Sequence, residues 1–215
     1  MSTTDIKFKS SAGTFNVDQA QGIVECFVAG IGNKDSVGDV LIPGAFKDSL
    51  KRRKPRVVWG HNWNDPIGKV LEIYEVPPSD PRLPMKMKAA GIGGLYARVQ
   101  FNLGSEKGKE AFANVAFFGE EQEWSIGYKT INGGFDPNLQ ANILREVELY
   151  EVSPVLHGAN QLTGTISVKD GEADDTRISE PSSAIPNIKP KIPSLPENPL
   201  MIAIRRELAV RSGSN

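Results

Sequence analysis

The 215-residue chain contains one cysteine, Cys26, and only two histidines. A single cysteine excludes an internal disulfide framework and is typical of a protein in a reducing compartment. Three such side chains are too few for the usual structural zinc sites, so no metal is predicted. Cys26 lies in the apolar run 23–28. We therefore interpret it as a small buried core residue rather than a nucleophile.

Several other features are missing. No apolar run approaches the roughly 18 residues that suggest a membrane helix, so no membrane partner is predicted. The N-terminus lacks a basic segment followed by an apolar one, and no signal peptide is expected. Neither a Walker nor a dinucleotide-binding glycine pattern is present, so no cofactor is predicted. The net charge of −1 gives no basis for nucleic-acid binding.

The chain divides into three regions by composition. Residues 1–170 alternate strand-like segments with turn residues and predict one folded domain. Residues 171–199 are rich in proline and serine, which predicts an extended linker. In residues 200–215, Leu200, Ile204 and Leu208 recur at helical spacing, which predicts a short helix or tail that docks on a partner.

Strand patterns dominate the first region. Leu95, Ala97, Val99 and Phe101 alternate with polar residues, as in a half-buried strand. Further strands are predicted over 22–31, 55–59, 67–76 and 146–156, and helices over 43–52 and 105–117. Ser105 is the expected N-cap of the second helix. Many strands with two short helices predict a mainly β fold, a closed or nearly closed barrel with peripheral helices.

Two segments carry candidate catalytic groups. His61 follows a strand pattern and precedes a turn, and histidine is the usual general base near neutral pH. Taken alone, it is equally well explained as a loop histidine bonded to backbone. Ser125 lies in a predicted strand on the same face as Gly127, where another chain could approach closely. The simpler interpretation is a serine that hydrogen-bonds across the sheet.

A third segment, 145–160, places acids within an apolar strand. Strict alternation puts Glu151 on the face of Val147 and Leu149, and Glu148 on the other face. A buried carboxylate is costly unless paired, and a histidine or arginine would pair it. A structural hydrogen bond to backbone or to Arg145 would also satisfy Glu151.

Together these segments resemble the tailed-phage prohead protease family, which is related in fold to herpesvirus assemblin. The resemblance covers residues 5–168, in the family's order and spacing. It rests on Gly22-Ile23-Val24, the turn 35–39, Ile42-Pro43-Gly44-Ala45-Phe46, Gly60-His61-Asn62, Pro66-Ile67-Gly68, Ser125-Ile126-Gly127-Tyr128 and the segment 148–153. Two positions depart from the family pattern: Asn62 replaces a common aspartate, and Gly158 replaces the proline of a P-A-N segment.

The resemblance implies a serine endopeptidase with Ser125 as nucleophile and His61 as general base. The third member is expected to be Glu151, with Glu148 and His157 as alternatives. Backbone amides are the expected oxyanion donors, one of them from the loop 132–134. The implied substrates are the phage scaffold, the capsid protein precursor and the protease itself. They would be cut inside the assembling prohead in the host cytoplasm, by a homodimer if the assemblin relationship extends that far.

Two alternatives belong to other functional classes. The same fold could serve as a catalytically silent assembly or scaffolding protein, because a fold does not prove an activity. An unrelated β-barrel binding module would not require this ordered set of motifs. Reaction of Ser125 with a serine-directed phosphonate distinguishes the protease from the silent protein.

Overall fold

The computed structural model describes residues 7–12, 17–18 and 21–158. These residues form nine strands, three α-helices and one 3₁₀ helix. The strands are β1 Lys7–Ala12, β2 Val17–Asp18, β3 Ile23–Ile31, β4 Asp39–Leu41, β5 Arg56–Trp59, β6 Asn62–Val76, β7 Gly93–Phe101, β8 Glu123–Asp136 and β9 Ala141–Val155. The helices are α1 Lys47–Arg52, α2 Met85–Ala89, α3 Glu106–Phe118 and the 3₁₀ turn Gly119–Glu121.

All nine described strands belong to one sheet, in which eight follow the order β1-β8-β9-β5-β6-β7-β3-β2 and β4 pairs with β9 off this path. The longest ladder joins β8 with β9 and is antiparallel, as are the ladders of β6 with β7 and of β3 with β7. Two short strands pair in parallel with the same edge of β9. β4 pairs with its first half, and β5 pairs with its second half. The expected mainly β fold with few helices is therefore confirmed.

The expected closure of the barrel is wrong. β1 and β2 end the strand order, and no ladder joins them within the described residues, so the sheet is an open, curled half-barrel. Alternating patterns predict a curled sheet because one face must be buried. They do not say whether the terminal strands meet, and β2 has only two residues with which to continue the sheet.

The main core is formed by one cluster of buried apolar side chains. It takes residues of β3, β7, β8 and β9, together with one face of α3. Cys26 is fully buried there, and burial raises its pKa well above the usual range. This confirms the interpretation of Cys26 as a core residue, because a thiol that stays protonated is a poor nucleophile.

The helices lie at the edges of the core. α3 begins at Ser105, whose side chain accepts a hydrogen bond from Gly108 N at 3.1 Å, which confirms the predicted cap. α1 begins four residues later than expected, because residues 43–46 form turns instead. α2 was not predicted. Its Met87 packs in a second, smaller core cluster that includes Phe27 and Tyr96.

The predicted linker 171–199 and tail 200–215 lie outside the described residues, as do residues 159–170 of the predicted folded domain. Among the described residues, no helix is long and apolar enough to cross a membrane.

Candidate active site

His61 lies in a two-residue hairpin turn between β5 and β6. Trp59 pairs with Asn62, which leaves only Gly60 and His61 to turn the chain. Both have positive φ, 55° and 64°. That combination is the type I′ turn favoured in tight hairpins. A histidine in this region is uncommon and needs support from its surroundings.

The support comes from the end of β9. Gly60 N donates to Pro154 O at 3.2 Å, and His61 N donates to Ser153 Oγ at 3.1 Å. The hairpin turn is thus fixed to β9 through its backbone.

His61 pairs directly with Glu151. Its Nδ1 lies 2.7 Å from Glu151 Oε1, and the two side chains are 21% and 1% exposed. An ionised carboxylate only accepts hydrogen bonds, so Nδ1 carries the proton in this pair. Nε2 is then the nitrogen that can accept a proton. The expectation that a histidine or arginine pairs Glu151 is confirmed, with His61 as the partner.

The buried Glu151 carboxylate has two further supports. Ser153 Oγ donates a hydrogen bond to Oε2. Opposite Glu151 in the ladder stands Gly127, and a β-carbon at that position would lie 2.4 Å from Oε1. The space beside Gly127 therefore holds the Glu151 carboxylate, and the approach of another chain to this face stays a prediction.

A bulge at Tyr150 sets the direction of Glu151. Gly127 pairs with Glu151, but the next residue, Tyr128, pairs with Leu149, which leaves Tyr150 without an opposite residue. Leu149 and Val152 both reach the core, whereas Glu151 lies on the outer face. The expected placement of Glu151 beside Val147 and Leu149 is wrong, because strict alternation fails at a bulge.

Ser125 stands directly across the ladder from Ser153. It is 2% exposed, and its neighbours Trp124 and Ile126 belong to the core with Tyr128. Directly opposed residues have β-carbons about 5 Å apart. Ser125 therefore lies on the strand next to Ser153, whose hydroxyl is hydrogen-bonded to both His61 and Glu151.

The structure does not bring the other candidate acids and bases into this group. Glu148 instead pairs with Arg52, and with Arg53 at 3.1 Å. His157 is exposed beyond the end of β9.

The predicted oxyanion loop is also misplaced. Residues 132–134 lie within the β8–β9 ladder. They are seven or more residues from Ser125, which is about 23 Å along a strand. That prediction is wrong for the described structure.

Comparison with known proteins identifies the family. The model of the caudovirus prohead serine protease family, Peptidase_S78, matches residues 6–76 and 87–177. The chain belongs to this family. The match includes His61, Ser125 and Glu151, and the resemblance to prohead proteases is confirmed, together with the expected role in phage head maturation.

Individual prohead proteases agree with the family match. The prohead protease of Enterobacteria phage HK97 is 26% identical over 175 residues, which cover 80% of this chain and 71% of that protein. The prohead protease of Escherichia phage T5 is 27% identical over 151 residues, or 67% of this chain and 62% of that protein. The structure of the bacteriophage T4 capsid assembly protease aligns with a TM-score of 0.49 at 8% identity, covering 71% of this chain and 99% of that one.

Proposed function

We propose that this prohead protease is a serine endopeptidase in which Ser125 is the nucleophile, His61 the general base and Glu151 the acid that orients it. The observation that carries the proposal is the 2.7 Å contact between His61 Nδ1 and the buried Glu151 carboxylate. A serine hydroxyl needs a neighbouring base, and that base needs a third group to hold its tautomer and its developing charge.

The chemistry follows from the protonation of this pair. Ser125 Oγ attacks the carbonyl carbon of the scissile bond while His61 Nε2 takes the hydroxyl proton. Glu151 stabilises the resulting imidazolium through Nδ1–H. His61 then gives the proton to the leaving amine, which leaves an acyl group on Ser125. Water, activated by His61, hydrolyses that ester and regenerates the hydroxyl.

The names of the relatives support the choice of substrate. The relatives from phages HK97 and T5 are both prohead proteases. We infer that this chain cuts the capsid protein precursor and the internal scaffold inside the prohead, in the host cytoplasm, and that it also cuts itself. Residues 171–199 and 200–215 serve in this proposal as a linker and a docking segment. A homodimer remains part of the proposal.

Co-expression with the cognate capsid protein precursor tests the function. Wild-type chain should cut the precursor at sites that mass spectrometry maps, and Ser125→Ala should leave it intact. Ser49→Ala is a matched control, because Ser49 is also a buried serine but belongs to α1, where its Oγ accepts a hydrogen bond from Leu149 N at 2.8 Å. Cutting by Ser125→Ala at the wild-type rate would disprove the assignment.

The silent assembly protein predicts a different result. A serine-directed phosphonate should label the wild-type chain at Ser125 and should not label His61→Ala at a comparable rate. An unlabelled, correctly folded wild-type chain that still supports head assembly would favour the silent protein.

A further inference from the structure

Ser153 lies at the centre of the candidate site but is none of its three proposed catalytic groups. It is fully buried on β9, two residues after Glu151 and directly across from Ser125. We propose that Ser153 is a positioning residue that holds the His61 turn and the Glu151 carboxylate in one geometry. This inference rests on the proposed function and adds a residue to it.

The directions of the two Ser153 hydrogen bonds follow from the chemistry of its partners. His61 N, at 3.1 Å, is a backbone amide and can only donate. Glu151 Oε2 belongs to a carboxylate and, when ionised, can only accept. One serine hydroxyl supplies a single donor and two acceptor lone pairs, so it satisfies both partners at once.

This arrangement fixes the two catalytic partners relative to each other. Glu151 uses one oxygen for the imidazole of His61 and the other for Ser153. The carboxyl plane is therefore held at both oxygens. The same hydroxyl supports the backbone of His61, so both ends of the His61–Glu151 hydrogen bond are positioned by one atom. Small misplacements of catalytic groups cost as much as about 100-fold in rate.

Kinetics of three serine variants test the role. Ser153→Ala should lower kcat by about 10- to 100-fold with KM within about twofold, because substrate contacts are not altered. Ser153→Thr keeps the hydroxyl and should recover most of kcat. Ser49→Ala also removes a buried serine hydroxyl bonded to a backbone amide, and its kcat should stay within about twofold of wild type.

Proton NMR gives a readout that simple loss of stability would not change. The chain has only two histidines, and His157→Ala assigns the low-field Nδ1–H signal to His61. We expect this signal in Ser125→Ala, which prevents self-cleavage during the measurement. It should be broadened or lost in the Ser125→Ala, Ser153→Ala double variant. It should persist when Ser49→Ala is added instead.

If Ser153→Ala does not fold, Ser153→Cys, with a weak thiol donor, takes its place with the same expectations.

The outcomes separate this inference from the proposed function. If Ser125→Ala and His61→Ala are inactive but folded Ser153→Ala has wild-type kcat, the positioning role is wrong and the catalytic assignment stands. A loss of kcat with an unchanged His61 signal also overturns it, as does an equal loss in Ser49→Ala. If Ser125→Ala remains active, the proposed function itself fails.

Discussion

The Glu151 carboxylate occupies the space in which a side chain at Gly127 would stand. The two residues face each other in the β8–β9 ladder, and a β-carbon at position 127 would lie 2.4 Å from Glu151 Oε1. A glycine is therefore required opposite the acid for a steric reason. The Ser125-Ile126-Gly127 segment combines the proposed nucleophile with the gap into which its supporting acid fits.

Gly127→Ala should displace Glu151 and disrupt its contact with His61. We expect at least a 100-fold loss of kcat and a loss of about 1–3 kcal/mol in the free energy of unfolding, as for other overpacked sites. Gly134→Ala on the same strand is the control, since its β-carbon would meet nothing closer than 3.9 Å. Single-turnover cleavage and urea unfolding measure the two effects. Normal cleavage by Gly127→Ala would contradict the described packing.

His61→Ala and Ser125→Ala should each reduce peptide cleavage by several orders of magnitude. The double variant should be no slower than either single variant, because residues that act as one unit do not have additive effects. The measurement is single-turnover cleavage of a peptide that spans a mapped site. Independent, multiplying losses would show that the two residues do not act together.

Glu151→Gln should reduce kcat far more than either Glu148→Gln or His157→Ala. Glutamine keeps the shape of Glu151 but cannot stabilise a positive imidazolium. Glu148→Gln loses only ion pairs with half-exposed arginines, which solvent screening makes weak. Steady-state kinetics of the three variants decide the third member. An inactive His157→Ala beside a normal Glu151→Gln would indicate a two-histidine arrangement.

Tyr128→Phe should make stability less sensitive to high pH. Burial, and then the hydrogen bond to Asp39 at 2.8 Å, raise the pKa of Tyr128 well above its usual range. The unfolded chain ionises this tyrosine near pH 10, so the wild type loses stability as pH rises above that value. Removing the Tyr128 hydroxyl should reduce the loss in the free energy of unfolding at high pH by up to about 1.4 kcal/mol per pH unit. Urea unfolding at pH 9 to 11 measures it, and an unchanged slope would contradict the burial of an un-ionised Tyr128.

Truncation after residue 170 should leave peptide cleavage intact and reduce the number of protease copies in proheads. The physical reason is that the proline-rich stretch has too little apolar content to form part of a core, while the segment after it has an apolar face. Counting protease copies in purified proheads, with full-length and truncated chains, checks the docking role. Loss of peptide cleavage would instead show that the removed part supports the domain.

Much of this fold is predictable from local patterns. The alternation of residues 95–101 predicts β7, and Ser105 predicts the start of α3, since both signals depend on neighbouring residues only. α2 has no capping side chain and is too short to show an apolar period, so local patterns do not predict it. Closure of the barrel depends on how far the whole sheet curls, which no segment of the sequence specifies.

The candidate site shows the same division. Glu151 is identifiable as an acid that needs a partner, but its direction depends on the bulge at Tyr150. No glycine or proline in the sequence around Tyr150 signals the bulge. Strict alternation therefore places the Glu151 side chain on the wrong face of β9. Ser153 did leave a usable signal, because period 2 places it beside Glu151 on whichever face the acid takes. A hydroxyl at that spacing is a candidate partner for the carboxylate.

The two-residue turn at Gly60 and His61 also restricts how this enzyme can be varied. A type I′ turn has no room for an added residue, and an insertion there would shift the pairing of β5 with β6. Directly after it, residues 63–65 leave the ladder, since Val58 pairs with Pro66 while Trp59 pairs with Asn62. Changes in length near the site are therefore expected in this part of β6, at residues 63–65, which β5 does not pair. Libraries built to alter cleavage specificity should place their diversity there and leave residues 60 and 61 unchanged.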